Sequence, residues 1–131
     1  MQDMDSLLRL SLIGAGGFTG AVLRFLVSSW VQGRSGSIVF PFGTLAVNMI
    51  GCLLIGFLSA LVEIRAMFSP ETRSFILIGL LGAFTTFSTF GNETLHLIRE
   101  SRIELALLNA GGQVLVGVFL VWLGRIFAGL L

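Results

Sequence analysis

Four long stretches almost free of charge dominate this sequence, and they fix what the chain can become. The first runs from Leu10 to Val31 and is interrupted only by Arg24. The second, Ser35 to Val62, carries no charge, the third, Ser74 to Ile98, is charge-free until Glu93, and the fourth extends from Leu105 to Gly124. A bilayer core about 30 Å thick takes roughly 20 helical residues to cross, so each stretch is long enough to span. A membrane barrel would instead need many segments of about ten residues alternating apolar and polar, and these runs are continuously apolar. Only 11% of the 131 residues are charged and 55% are hydrophobic, whereas a soluble domain carries roughly a quarter charged residues. A soluble globule is excluded. The two prolines and the aperiodic placement of the 17 glycines exclude a disordered or collagen-like chain. The expected fold is an all-α membrane protein, one domain over residues 1–131, with four transmembrane helices over about 7–31, 42–63, 74–98 and 104–128, the second starting after Pro41. Short loops are expected near residues 32–39, 65–73 and 99–104.

The charges exclude several function classes. Eight arginines stand against seven acids with no lysine, a net charge of +1, which provides neither a basic footprint for nucleic acid nor a polybasic patch for anionic lipid. Cys52 is alone in an apolar run and His96 has no partner at ligand spacing, so no disulfide framework or side-chain metal cluster is expected. Asp3 and Asp5 precede the first run where a cleaved signal would carry basic residues. With four spans, Arg9, Arg65, Arg73 and Arg125 share one side and Arg34, Arg99 and Arg102 the other. Four against three sets no orientation under the positive-inside rule. A chain without such a bias can insert both ways round, and two copies would then form an antiparallel dimer, the unfused form of an inverted repeat. Four helices enclose little by themselves, so a conducting path also favours an oligomer. Glycines inside the runs (Gly16 and Gly20 as a G-x-x-x-G pair; Gly51, Gly56, Gly112 and Gly117 mid-span) suit close helix approach.

Polar groups at membrane depth are expensive unless paired, so their positions carry information. Thr85, Ser88, Thr89, Asn92 and Glu93 fall at helical spacing and form a hydroxyl-rich stripe ending in a carboxylate. Phe84, Phe87 and Phe90 recur every third residue beside it. Thr44, Asn48 and Cys52 line up on the second span, Asn109 and Gln113 on the fourth, and Arg24 lies four residues beyond Gly20 on the first. Singly, each is most simply a packing or helix-gluing residue. Together they supply amide and hydroxyl donors, aromatic ring edges with partial positive charge, and one guanidinium. That set suits a small dehydrated anion, which Arg24 would concentrate near an entrance. Glycine brackets the segment 82–91, whose β-branched and aromatic residues are middling helix formers. A break there would free backbone carbonyls able to coordinate a cation such as sodium.

Gly43-Thr-Leu-Ala-Val-Asn48 and Thr85-Thr-Phe-Ser-Thr-Phe90, with Gly20-Ala-Val-Leu-Arg24 before them and Glu93 after, resemble the Fluc (CrcB) family of fluoride channels, and the likeness covers nearly the whole chain. The resemblance implies a third helix broken mid-membrane and a dual-topology antiparallel homodimer with two fluoride pores, resident in the bacterial inner membrane as a multi-pass protein. It implies a structural, untransported sodium ion at the dimer centre, held by the carbonyls of Gly82 and Thr85. Phe87 and Phe90 would offer ring edges to fluoride and Asn48 a hydrogen-bond donor. Ser88, Thr89, Thr44 and Gln113 would line the polar track, with Arg24 near the vestibule and Glu93 a further pore residue. The sequence departs from the family pattern at Ala83, where a glycine is frequent, at Gln113, where a serine is familiar, and at Asn109, where an aromatic is. The expected function is passive export of cytoplasmic fluoride, without catalysis. Two rivals are a small proton-coupled multidrug exporter, which would carry a central glutamate on its first span where this chain has Arg24, and a non-conducting assembly subunit, which leaves the polar stripes unexplained.

Overall fold

The computed structural model describes the backbone of residues 2–131 and the side chains from residue 5 onward. It is all-helical among the described residues, with four helical stretches long and apolar enough to cross a membrane. Helix α1 covers Gln2–Ser35 and α2 covers Phe42–Arg65. The third stretch divides into α3, residues 70–84, and α4, Phe87–Arg99. The fourth, α5, runs over Ile103–Gly129.

The helix ends follow from local chemistry. Pro41 stands immediately before α2, where a missing N–H costs nothing. The Gln32 side chain ties that end to α1: its Oε1 accepts from Gly43 N at 3.0 Å, while Nε2 donates to the carbonyls of Ser37 and Phe40 at 2.6 and 3.1 Å. Ala66, left-handed at φ 50°, closes α2 through its N–H to the Leu61 carbonyl. Ser69 caps α3, accepting from Thr72 N at 3.3 Å, with Pro70 as the first helical residue. Ser74–Leu81 of α3 and Gly112–Val116 of α5 are π-helical, turns that carry an extra residue and re-aim the side chains beyond them.

Glycines set the packing. A Cβ on Gly16 or Gly20 of α1 would overlap the Phe75 or Leu80 carbonyl of α3, and one on Gly79 would crowd the Ile13 carbonyl of α1. The second contact pairs Gly56 of α2 with Val121 of α5 and Gly124 of α5 with Leu53 of α2 on the same principle. Backbones therefore touch along both pairs, the close approach that gives helices dispersion contact when lipid removes any hydrophobic drive between them. Gly112 has open space around its Cα, so its place is in the π-turn rather than in a helix contact. The α2–α5 pair closes over a small core of Ala60, Leu61 and Ala128. Much of the apolar surface faces outward: Phe18, Leu107 and Leu115 are 74, 68 and 73% exposed. An aqueous fold would bury such residues; a lipid-facing one has no need to. The chain is a multi-pass membrane protein.

Candidate anion path at the helix break

The break in the third stretch is two residues long. Thr85 (φ −92°, ψ 160°) and Thr86 (φ −151°, ψ 116°) are extended between α3 and α4. Extended backbone at membrane depth leaves polar groups that must be met from within the protein, and Asn48 of α2 meets them. Its Oδ1 accepts from Thr86 N at 2.8 Å, and its Nδ2 donates to the Thr86 carbonyl at 3.0 Å. One side-chain amide thus imitates a neighbouring β-strand. Its second N–H donates to Gln113 Oε1 on α5 at 2.9 Å. Gly51, three residues along α2, leaves the space that the Thr85 methyl group occupies. The Thr86 hydroxyl then restarts the helix: it accepts from Thr89 N at 3.2 Å and donates to the Thr89 hydroxyl at 2.9 Å, an N-cap arrangement.

Because Thr86 N turns to Asn48, the Gly82 carbonyl loses the donor that a continuous helix would give it. The Thr85 carbonyl receives a long bond from Arg24 Nη1, 3.4 Å, and keeps a second lone pair. Both residues line one cavity. Neutral main-chain oxygens of this kind are the donors that sodium takes, so the residues fit the ion that the resemblance implies. Among the described residues no group of three or more His, Cys, Asp or Glu could hold a metal.

Two cavities flank the break. The larger, about 490 Å³, is bounded by Asn48, Thr85, Phe87, Phe90 and Gln113 with an apolar remainder. Phe87 and Phe90 meet there edge to face, centroids 5.3 Å apart and planes at 60°, the geometry in which ring edges are directed. Phe90 is buried whereas Phe87 is 81% exposed. The smaller cavity, about 270 Å³, is lined by Arg24, Ser28, Thr44, Thr86 and Thr89. Thr86 borders both.

Of the residues singled out in the sequence, Asn48, Phe87, Phe90, Gln113, Gly82 and Thr85 therefore meet at the first cavity and Arg24, Thr44 and Thr89 at the second. Ser88 and Glu93 border neither. Glu93 is held from α2 by the Thr44 hydroxyl, which donates to Oε1 at 2.6 Å; the Ser88 hydroxyl lies 3.5 Å from that of Thr86 and is exposed. The hydroxyl stripe and the aromatic ladder are both cut at the break. Thr85 leaves the α4 face, and Phe84, buried on α3, is separated from the Phe87–Phe90 pair. Thr86 was the residue missed: its signal was a threonine three before another, the spacing of a helix cap. Thr94 was missed as well. It accepts from Asn109 Nδ2 at 2.9 Å and donates to the Phe90 carbonyl at 2.8 Å, so Asn109, fully buried, ties α5 to α4.

Comparison with known proteins agrees with this geometry. Residues 11–125 match the family described as "CrcB-like protein, Camphor Resistance (CrcB)". The chain is 47% identical over 117 residues to "Fluoride-specific ion channel FluC 1" of Methanosarcina acetivorans, covering 89% of this chain and 88% of that protein. It is 47% identical over 113 residues to "Fluoride-specific ion channel FluC" of Shewanella halifaxensis (86 and 90% covered). The protein of that name from Parabacteroides distasonis is 44% identical over 120 residues, 92% of each chain. With four apolar helices, a broken third stretch and these matches over nearly its full length, the chain belongs to the CrcB family, a family of ion channels and not of enzymes.

Proposed function

We propose that this protein is a fluoride-selective channel that lets cytoplasmic fluoride leave a bacterial cell across its inner membrane. The observation that carries the reading is the break clamped by Asn48, which gathers an amide, hydroxyls, a guanidinium and two phenyl edges around adjoining cavities. Hydrogen fluoride crosses lipid from an acidic exterior and ionises inside, where the anion is trapped; a selective leak empties it without ATP. Arg24 draws the anion towards the hydroxyls of Thr44 and Thr89. Past Thr86, Asn48 and Gln113 stand beside the edges of Phe87 and Phe90, and a small hard anion exchanges water for strong hydrogen bonds where larger chloride fits badly. Ser88 and Glu93 stand behind this lining, reached through Thr86 and Thr44.

In this reading the working unit is an antiparallel homodimer. The larger cavity is open on one side and Phe87 projects from the single chain, so a second copy supplies the missing wall. The carbonyls of Gly82 and Thr85 from each copy would hold one sodium ion, untransported, which supplies fixed positive charge at the dimer centre. Liposomes loaded with potassium fluoride or potassium chloride, with valinomycin carrying the counter-charge, test the function. Rapid fluoride release with negligible chloride release is expected; release of neither ion would end the channel reading.

A further inference from the structure

Three buried polar atoms lack a partner among the described residues: Glu93 Oε2, Asn109 Oδ1 and Gln113 Nε2. The first two belong to a carboxylate and to an amide carbonyl, which repel an anion. The third is an N–H donor, and its residue borders the cavity that also holds Phe87 and Phe90. We infer that Gln113 Nε2 is the hydrogen-bond donor that takes the anion in the larger cavity, while Asn48 is committed to the helix break. The inference rests on the channel reading and assigns the donor within it.

The amide orientations follow from the backbone. An X–N–H can only donate, so the atom of Asn48 that faces Thr86 N at 2.8 Å is the oxygen. Nδ2 is thereby fixed, and its two N–H groups are both used, on the Thr86 carbonyl at 3.0 Å and on Gln113 at 2.9 Å. The Gln113 atom that meets this donor must be Oε1, since a reversed amide would set N–H against N–H. Nε2 is left with two unused N–H groups in a place where an unmet donor is costly. The backbone contributes too. Gln113 sits in the π-helical turn Gly112–Val116, and Asn109, one turn earlier, points instead to Thr94. An extra residue per turn separates the two directions, and such turns recur at functional sites.

The test uses the full chain. Gln113→Glu keeps an acceptor for Asn48 and removes the N–H; Gln113→Met removes both at similar length. Fluoride efflux from liposomes is expected to fall about tenfold or more in each, since a hydrogen bond to a charged acceptor is lost, with elution of the purified protein unchanged. Efflux within about twofold of wild type in Gln113→Glu would overturn the inference while leaving the channel standing. A second readout does not depend on flux or on the variants folding. With the glutamine side chains labelled with nitrogen-15, only Gln2, Gln32 and Gln113 give signals. The Gln113 amide protons should move downfield with potassium fluoride and stay put with potassium chloride. A Gln113 signal indifferent to fluoride overturns the assignment. If wild-type liposomes release no fluoride, the channel reading falls on its own, and the titration still decides whether Gln113 binds the ion.

Discussion

The two cavities beside the break differ in how they can treat an anion. The smaller one pairs a guanidinium with hydroxyls, Arg24 with Thr44 and Thr89; charge attracts at a distance and hydroxyls rotate to suit what arrives. The larger one offers ring edges and amides in an apolar wall, groups that reward only an ion small enough to touch them. Capture and discrimination are thus separated by one residue, Thr86. Such a division makes graded demands on the side chains: those fixing the boundary matter most, those in the selective cavity next, those that only attract less.

Asn48→Asp is the severest challenge. A carboxylate there loses both N–H donors, opposes the Thr86 carbonyl and Gln113 Oε1, and places a buried negative charge on an anion's route. A buried charge at such depth costs about 3 kcal/mol, so efflux should drop at least ~100-fold; normal conduction would remove Asn48 from the site. Phe90→Ile and Phe87→Ile test the selective cavity. Losing a directed ring edge, worth roughly 1 kcal/mol, should slow fluoride about threefold to tenfold with the protein still eluting as wild type, and wild-type flux in both would refute the ring-edge role. Arg24→Gln probes attraction: a loss of about threefold at low ionic strength that shrinks in ~1 M salt, as screening requires. A salt-independent loss would instead point to its bond to the Thr85 carbonyl. The mildest is Ser88→Ala. Bordering neither cavity, it should leave efflux within about twofold, and a larger drop would extend the path along α4.

The division into four apolar stretches could be read from the sequence because the bilayer imposes length and hydropathy locally. The place of the break was visible only as a weak region, residues 82–91, since propensity measures reluctance and not outcome. The structure confines it to Thr85 and Thr86, and Phe87–Gly91 is helical. What makes so short a break possible is Asn48, 38 residues away in sequence, and no local pattern announces that partnership. For the same reason Asn48 could be recognised as a polar residue facing inward, but not as one whose three hydrogen-bonding positions are already filled. The Asn109–Gln113 pair misled in a related way. Spacing of four implies a shared face on a regular helix, and the π-turn at Gly112–Val116 sends the two apart.

The clamp on Thr86 also bears on motion. Healing α3 and α4 into one rod would strip Asn48 of both its bonds to the Thr86 backbone, each worth about 1 kcal/mol net and more when its loss strands buried partners. The Thr89 cap would go with them. The kink therefore behaves as a rivet and not as a hinge: an aperture cast at a fixed width, whose traffic is regulated by what is dissolved on either side of it.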